Sequence, residues 1–186
     1  MRLFIAIDLG QAVRALVEKE TERLRALAPN AKWVKAEGIH VTLAFLGHLA
    51  DARAEEVKAI VSEVARRHPP LQLKVEGIGA FGSSARPRVL WAGLTGDVEP
   101  LASIKTDLEK RLTPFGYQPE TRAFKPHLTL ARARLPRGDS ALARCIPASE
   151  IVSFGTAKVS RLILFRSDLS PKGAKYTALC EPGLTG

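Results

Sequence analysis

The sequence has few cysteines, and their spacing excludes the sites that cysteines most often build. Only Cys145 and Cys180 occur in 186 residues, and no Cys-x-x-Cys pair is present. A zinc ribbon or a dithiol redox site needs such closely spaced pairs. We therefore expect two reduced thiols, as is usual in a cytosolic protein.

Long apolar runs are also absent. The first apolar stretch extends only from Leu3 to Ile7 before Asp8 interrupts it, which is shorter than a secretory signal requires. No segment approaches the roughly 20 apolar residues of a membrane-spanning helix. We expect a cytoplasmic protein that does not contact the membrane.

Acidic residues are the minority among the charged residues. Lysine and arginine number 28 against 19 aspartates and glutamates, which gives a formal net charge of +9. Such an excess favours polyanionic partners such as RNA, although a basic surface also simply aids solubility. Hydrophobic residues make up 46% of the chain, enough for a folded core without disulfide bonds.

Hydrophobic periodicity predicts alternating strands and helices. We expect helices over residues 11–27 and 51–67 and after Asp97, with Asp51 and Asp97 as the capping residues of the second and the third. In the third helix, Leu101, Ile104, Leu108 and Leu112 are expected to point inward. The segment 135–147 is expected to hold at most a short helix, and the tail after Pro171 has no clear pattern. Extended structure is expected in the segments 2–9, 33–46, 71–81, 88–94, 124–133 and 151–166.

This order of elements repeats along the chain. Three pairs of segments match at offsets of 84 to 87 residues: Arg2–Ala6 with Arg88–Ala92, His40–Leu43 with His127–Leu130, and Lys74, Val75 and Phe81 with Lys158, Val159 and Phe165. We therefore predict a single domain over residues 1–186, made of two repeated lobes that correspond to the approximate sequence copies 1–82 and 87–170. Chance similarity among apolar strands is the alternative explanation.

Two of the four histidines lie in the same tetrad, His-x-Thr-Leu, at His40 and His127. In a strand, residues i and i+2 point to the same face, so each histidine projects together with its threonine, Thr42 or Thr129. The residues between and after them point to the core. If the two copies pack about a pseudo-twofold axis, both His-Thr pairs face one cleft. The remaining histidines, His48 and His68, are expected to be structural.

A site with two imidazoles and two hydroxyls suits a phosphodiester. One neutral imidazole can take a proton from the attacking oxygen, while a second, protonated imidazole gives one to the leaving oxygen. Threonine hydroxyls can hydrogen-bond the non-bridging oxygens. No carboxylate or cysteine accompanies the pair at a metal-ligand spacing, so we expect neither a metal nor a cofactor. For a lone histidine, a packed structural residue would be the preferred interpretation.

The residues around both tetrads resemble the two-histidine phosphoesterases, and in particular the bacterial and archaeal RNA 2′,3′-cyclic phosphodiesterases, also called 2′-5′ RNA ligases. The resemblance implies an α+β, bilobal, pseudo-twofold fold, with two antiparallel β-sheets around a central cleft and helices packed outside. It is carried by His40–Gly47 and Pro126–Arg132, and also by Arg2–Leu9, Trp33, Pro87–Trp91, Phe165–Ser167 and Tyr176.

The resemblance also implies an activity: hydrolysis of a terminal 2′,3′-cyclic phosphate on RNA, tRNA-like fragments included, to a 2′-phosphomonoester. The resemblance also implies reversible 2′-5′ RNA ligase activity. It implies neither a metal nor a nucleotide cofactor. His40 matches the family's proton donor, His127 its proton acceptor, and Thr42 and Thr129 its phosphate-binding threonines. Arg132 matches a phosphate-contacting arginine, but strict alternation puts it on the face opposite His127, so a bulge or the end of the strand must turn it inward.

Two aromatic residues are candidates for stacking on a base, Phe45 and Trp33, although Trp33 is more readily explained as a core residue. Two other functions stay open: an RNA-end binding module that uses the two motifs only to hold phosphate, and a two-histidine phosphodiesterase of small cyclic nucleotides. We expect a monomer, because each lobe already has its partner within the chain.

Overall fold

Antiparallel strands supply the framework of the molecule. The structure, a computed structural model, describes residues 1–35, 38–119, 123–146, 151–170 and 173–186. The strands are β1 (Arg2–Ile7), β2 (Lys32–Trp33), β3 (Val41–His48), β4 (Leu71–Gly82), β5 (Pro87–Gly96), β6 (His127–Arg132), β7 (Ser153–Val159), β8 (Ile163–Ser170) and β9 (Gly173–Cys180).

These strands form two sheets. The first sheet has the order β3-β1-β8-β9 and the second the order β2-β6-β5-β4-β7. All pairings between the described strands are antiparallel. Helices alternate with the strands along the chain, so the α+β class with two antiparallel sheets is confirmed.

The helices pack their apolar sides against the sheets and each other. They are α1 (Gly10–Arg25), α2 (Ala54–Arg67), α3 (Val98–Leu112) and the short α4 (Ser140–Ala143). The spacing of apolar residues in α3 predicted its buried face, and Leu101, Ile104, Leu108 and Leu112 are all fully buried. α1 contacts β7, and α2 contacts α3. None of the helices in the described ranges is both long and apolar enough to cross a membrane.

Neither predicted capping residue caps its helix through its side chain, although Asp97 does occupy the N-cap position of α3. Asp51 lies in a short 3₁₀ turn, Asp51–Arg53, and its carboxylate pairs with the amino group of Met1 at 2.9 Å. The carboxylate of Asp97 accepts a hydrogen bond from the backbone N–H of Gln72 at 2.7 Å, so it makes no cap to α3. In both cases the carboxylate binds a group that is distant in sequence and not the backbone N–H groups at the start of a helix.

Two segments that were expected to be extended throughout are divided in the structure. Residues 33–46 contain the end of β2 and most of β3, and residues 151–166 contain β7 and the start of β8. At the second division the chain leaves one sheet and enters the other. The tail without a clear pattern forms β9, which pairs with β8 at the edge of the first sheet. Pro171 itself lies outside the described residues.

The two sheets exchange strands between the two halves of the sequence. β4, from the first half, lies in the second sheet between β5 and β7, and β8, from the second half, lies in the first sheet between β1 and β9. The sheets therefore do not coincide with the sequence copies 1–82 and 87–170, and that internal repeat stays a prediction about the sequence.

A close contact between β4 and β5 gives a test of this packing. Gly79 lies opposite Trp91, and a Cβ at Gly79 would overlap the indole ring. We expect Gly79→Ala to lower the free energy of unfolding by about 1–3 kcal/mol, because the indole must leave its position. Chemical denaturation measures this loss.

Gly183 provides the matched control for this substitution. A Cβ there would meet its nearest atom at 3.8 Å, an ordinary contact. Gly183→Ala should therefore leave the stability unchanged or raise it slightly, since alanine restricts the unfolded chain. Equal stabilities for the two variants would contradict the close packing of Trp91 on Gly79.

Candidate active site

The first His-x-Thr-Leu motif lies at the start of β3. His40 directly precedes the strand, Val41 pairs with Ile7 of β1, and Thr42 lies opposite Ala6. Val41 and Leu43 are 1% and 2% exposed, so they face the core, while Thr42 is exposed. The alternation predicted from the motif is thus present in the strand.

The second motif starts β6. His127 lies opposite Gly93 of β5, and Thr129 lies opposite Trp91. Leu128 and Leu130 are 0% and 1% exposed, which repeats the pattern of the first motif.

A hydrogen bond fixes the tautomer of the neutral His127 ring. Its Nδ1 lies 2.7 Å from the carbonyl oxygen of Lys125. Because a carbonyl can only accept, Nδ1 is the donor, and Nε2 of the neutral ring is left as an acceptor. The ring is thereby held in the tautomer that a general base needs.

Each motif contains a β-bulge at its leucine. In the β1–β3 pairing, Ile5 faces Ala44 and Ala6 faces Thr42, so Leu43 is an extra residue. In the β5–β6 pairing, Leu90 faces Ala131 and Trp91 faces Thr129, so Leu130 is the extra residue. Two successive side chains are therefore buried in each strand, and the alternation shifts by one residue.

The shift determines where the next residue points. After the bulges, Phe45 in β3 and Arg132 in β6 return to the face that carries the histidines and threonines. The expectation that a bulge or the end of the strand must turn Arg132 inward is confirmed by the register of β6, which contains the bulge. Phe45 and Arg132 occupy the same place in their motifs, five residues after the histidine in each case.

The two motifs meet in one cavity of about 450 Å³ between the sheets. The predicted site residues all line it, namely His40, Thr42, Phe45, His127, Thr129 and Arg132. A shared cleft for both His-Thr pairs was expected if the two sequence copies packed about a pseudo-twofold axis. The structure brings the side chains of both pairs to that cavity.

The cavity also contains residues for which the sequence suggested no role. Arg2 at the start of β1, Ser167 in β8 and Tyr176 in β9 all line it. All three belong to the segments that carry the family resemblance, which was the only signal for them. The unpredicted strand β9 is the reason that Tyr176 was missed as a cavity residue.

Aromatic rings surround both histidines. The His40 ring centre lies 4.9 Å from that of Phe4, 5.3 Å from Tyr176 and 5.9 Å from Phe165. The His127 ring centre lies 4.9 Å from Phe81 and 6.4 Å from Trp91. Packing on several sides limits the rotation of both imidazoles.

The two histidines differ in their electrostatic environment. Burial among aromatic rings lowers the pKa of His40 to about 4, and the charge of Asp8 only partly opposes this. Asp8 is itself held by Arg14, whose guanidinium donates to its carboxylate at 2.8 Å. In the free protein at neutral pH, His40 is therefore a neutral imidazole.

The other residues considered from the sequence lie elsewhere. Trp33 donates from its indole N–H to the carbonyl of Ala28 at 3.0 Å and packs against the core. His68 lies 3.3 Å from the carboxylate of Asp107, and His48 is exposed at the end of β3. Within the described ranges, no group of three or more His, Cys, Asp or Glu side chains is placed to hold a metal ion.

Sequence comparison places this site among known proteins. The sequence model of the LigT-like phosphoesterases matches residues 7–91 and 95–176. An RNA 2′,3′-cyclic phosphodiesterase of Methanothermobacter thermautotrophicus is 30% identical over 177 residues, which cover 95% of each chain. A protein of the same name from Thermus thermophilus is 33% identical over 202 residues, covering 100% of this chain and 91% of the relative.

Comparison with solved structures gives the same result. The crystal structure of TT0787 of Thermus thermophilus superposes with a TM-score of 0.83 at 30% identity and covers 100% of this chain and 99% of its own. E. coli LigT complexed with 3′-AMP superposes with a TM-score of 0.73 at 26% identity, covering 100% and 98%. With the family match over most of its length, the chain belongs to the LigT-like phosphoesterase family.

Proposed function

We propose that the protein is an RNA 2′,3′-cyclic phosphodiesterase that converts a terminal 2′,3′-cyclic phosphate to a 2′-phosphomonoester without a metal ion. The observation that carries the proposal is the single cavity lined by both His-Thr pairs and by Arg132. The shared name of the relatives at about 30% identity supports it.

In the proposed reaction, the cyclic phosphate binds between the two imidazoles. His127 takes a proton from the attacking water through Nε2, since Nδ1 is bound to the Lys125 carbonyl. The water oxygen bonds to phosphorus, the P–O3′ bond breaks, and His40 gives its proton to O3′. The phosphate stays on O2′, so the product is a 2′-phosphomonoester.

Three further residues hold the phosphate in this proposal. The hydroxyls of Thr42 and Thr129 donate to the non-bridging oxygens, where negative charge must be stabilised. Arg132 adds a cation from the β6 bulge, and a planar guanidinium can donate two hydrogen bonds to a phosphate. Each motif thus supplies one imidazole and one hydroxyl, and the second motif also supplies a cation.

The donor role of His40 requires a proton that the free protein lacks at neutral pH. Burial disfavours the imidazolium, which is why the pKa of His40 is lowered to about 4. A bound phosphodiester brings a negative charge into the same cavity and favours the imidazolium. We infer that substrate binding and protonation of His40 are coupled.

RNA is the proposed substrate class. The net charge of +9 favours a polyanion, and Arg2 and Arg132 both line the cavity. The Arg2 guanidinium lies 4.7 Å from the centre of the Phe45 ring. Because Phe45 is still 46% exposed, part of its ring surface is available to stack on a base. The same displacement, with an RNA 5′-hydroxyl in place of water as the nucleophile, would form a 2′-5′ linkage.

The catalytic proposal is tested by single substitutions at the two histidines. His40→Ala and His127→Ala should each lower turnover of a 2′,3′-cyclic substrate by about 10²–10⁴-fold, because each removes one proton-transfer group. Thr42→Val and Thr129→Val should cost less, since other donors still contact the phosphate oxygens. Chelators should leave the wild-type rate unchanged, and product analysis should find the 2′-phosphate.

His48→Ala and His68→Ala are the matched controls, because both histidines lie outside the cavity. Both variants should keep near wild-type turnover. If a folded His40→Ala or His127→Ala protein instead kept more than about a tenth of the activity, the activation barrier would have risen by less than about 1.4 kcal/mol. That histidine would then be excluded as acid or base.

The proton-coupling proposal predicts net proton uptake when substrate binds. In His127→Ala, His40 is the remaining imidazole of the catalytic cavity, and the slow turnover allows binding to be measured. At pH 6, above its lowered pKa of about 4, free His40 is neutral. Binding of adenosine 2′,3′-cyclic phosphate should raise that pKa and take up close to one proton. Calorimetry in buffers of different ionisation enthalpy measures the uptake.

The double variant His40→Ala/His127→Ala provides the control, because it should bind the same ligand without proton uptake. The cyclic phosphate does not titrate near pH 6, so the ligand adds no protons of its own. Binding to His127→Ala without any proton uptake would overturn the proposed coupling between substrate binding and protonation of His40.

A further inference from the structure

A second cavity, of about 560 Å³, adjoins the catalytic cavity. Thr42, Phe45 and His127 line both cavities. The other walls of the second cavity come from β4, from α3 and from the segment that leads into β6. We call it the aromatic pocket and define it by Phe81, Lys105, Tyr117, Phe124 and Lys125.

The position of the aromatic pocket relative to the two histidines is asymmetric. His127 lines both cavities, whereas His40 lines only the catalytic one. In an in-line displacement, the attacking and leaving oxygens lie on opposite sides of phosphorus. Since His127 is the proposed acceptor for the attacking oxygen, the aromatic pocket lies on the side from which the attacking group arrives.

The walls of the pocket have the chemistry of a nucleotide subsite. Phe81, Tyr117 and Phe124 provide aromatic surface, on which bases of any sequence can stack. Lys105 in α3 is only 8% exposed, and its ammonium lies 5.4 Å from the ring centre of Phe124. Lys125, in the segment before β6, is exposed and adds a second cation.

A buried polar network holds Lys105 in place. The Lys105 ammonium donates to the carboxylate of Glu109 one turn later in α3. The same carboxylate oxygen accepts a hydrogen bond from the Tyr117 hydroxyl at 3.0 Å. An ammonium has three donors, so the Glu109 contact leaves further donors that can reach an anion in the pocket.

We propose that the aromatic pocket binds the nucleotide that supplies the attacking hydroxyl: an RNA nucleotide with a free 5′-hydroxyl, its base against Phe124 and its own 3′-phosphate near Lys105 and Lys125. This rests on the function proposed above. The 5′-oxygen bonds to phosphorus and its proton passes to His127. The P–O3′ bond breaks, and O3′ takes the proton of His40. The product is a 2′-5′ phosphodiester.

The pocket thereby determines which nucleophile reacts. When it is empty, water attacks and a 2′-phosphomonoester results. When a nucleotide occupies it, the 5′-hydroxyl is held beside His127, and transfer to RNA competes with hydrolysis. The reverse reaction, cleavage of a 2′-5′ linkage, needs the same subsite for its leaving nucleotide.

The test compares two reactions of the same proteins. Hydrolysis of adenosine 2′,3′-cyclic phosphate does not use the aromatic pocket, whereas cleavage of a 2′-5′-linked diadenylate with a 3′-phosphate does. Phe124→Ala should raise KM for the diadenylate by about 5- to 100-fold, as expected for loss of one stacked base. It should change kcat/KM of the cyclic mononucleotide by less than about twofold. Phe124→Tyr keeps the aromatic ring and should restore the diadenylate KM.

Lys105→Met should also raise KM for the diadenylate, and the increase should shrink when the 3′-phosphate is omitted. The matched controls are Lys110→Met, an exposed lysine of the same helix, and Phe115→Ala, an aromatic residue outside both cavities. Neither control should change either reaction. Thermal melts verify that each variant is folded.

The outcomes separate the subsite from the proposed function. If the wild type fails to hydrolyse the cyclic mononucleotide, the proposed function is wrong. If it does, the subsite proposal is overturned by any of three results: no cleavage of the diadenylate, no effect of Phe124→Ala or Lys105→Met on it, or equal effects of these substitutions on both substrates. Equal effects would place the cyclic nucleotide itself in the aromatic pocket.

Discussion

The extra residue in each motif strand is the constraint on which the candidate site depends. A strand with strict alternation would send His, Thr and every second residue after them to the cleft. The bulges at Leu43 and Leu130 bury two successive apolar residues and then return the chain to the cleft face. Each strand therefore anchors itself with two core side chains while it presents a third functional residue, Phe45 or Arg132.

The two halves of the candidate site differ in their chemistry. The bulges place an aromatic ring after the first motif and a guanidinium after the second. His40 is enclosed by Phe4, Phe165 and Tyr176, so burial lowers its pKa, whereas His127 is fixed by the Lys125 carbonyl. Two nearly identical pentads, His-x-Thr-Leu-Ala, thus become an unlike pair because their tertiary surroundings differ.

Local sequence was sufficient to predict which side chains are buried in elements with a regular spacing of apolar residues. The buried face of α3 and the orientation of Val41, Leu43, Leu128 and Leu130 followed from spacing alone. Asp97 does stand at the N-cap position of α3, but neither its carboxylate nor that of Asp51 caps a helix, because groups distant in sequence bind both carboxylates. The strand β9, and with it the position of Tyr176, was not predicted, because the segment after Pro171 shows no clear hydrophobic pattern, although its partner β8 is the preceding strand in the sequence. The lowered pKa of His40 likewise depends on rings from three different strands.

The backbone also links the two motifs directly. The segment that leads to His40 first pairs with the strand that carries His127: Lys32 lies opposite Arg132, Trp33 lies opposite Ala131, and the N–H of Val34 donates to the carbonyl of Leu130 at 2.9 Å. The bulge residue of β6 is thus hydrogen-bonded to the chain that enters β3. Because acid–base catalysis depends on the separation of the two imidazoles, backbone hydrogen bonds between the motifs are better suited to hold it than flexible side chains. The short strand β2 therefore joins the chain that enters β3 to the strand of the second motif, although none of its side chains lines the cavity.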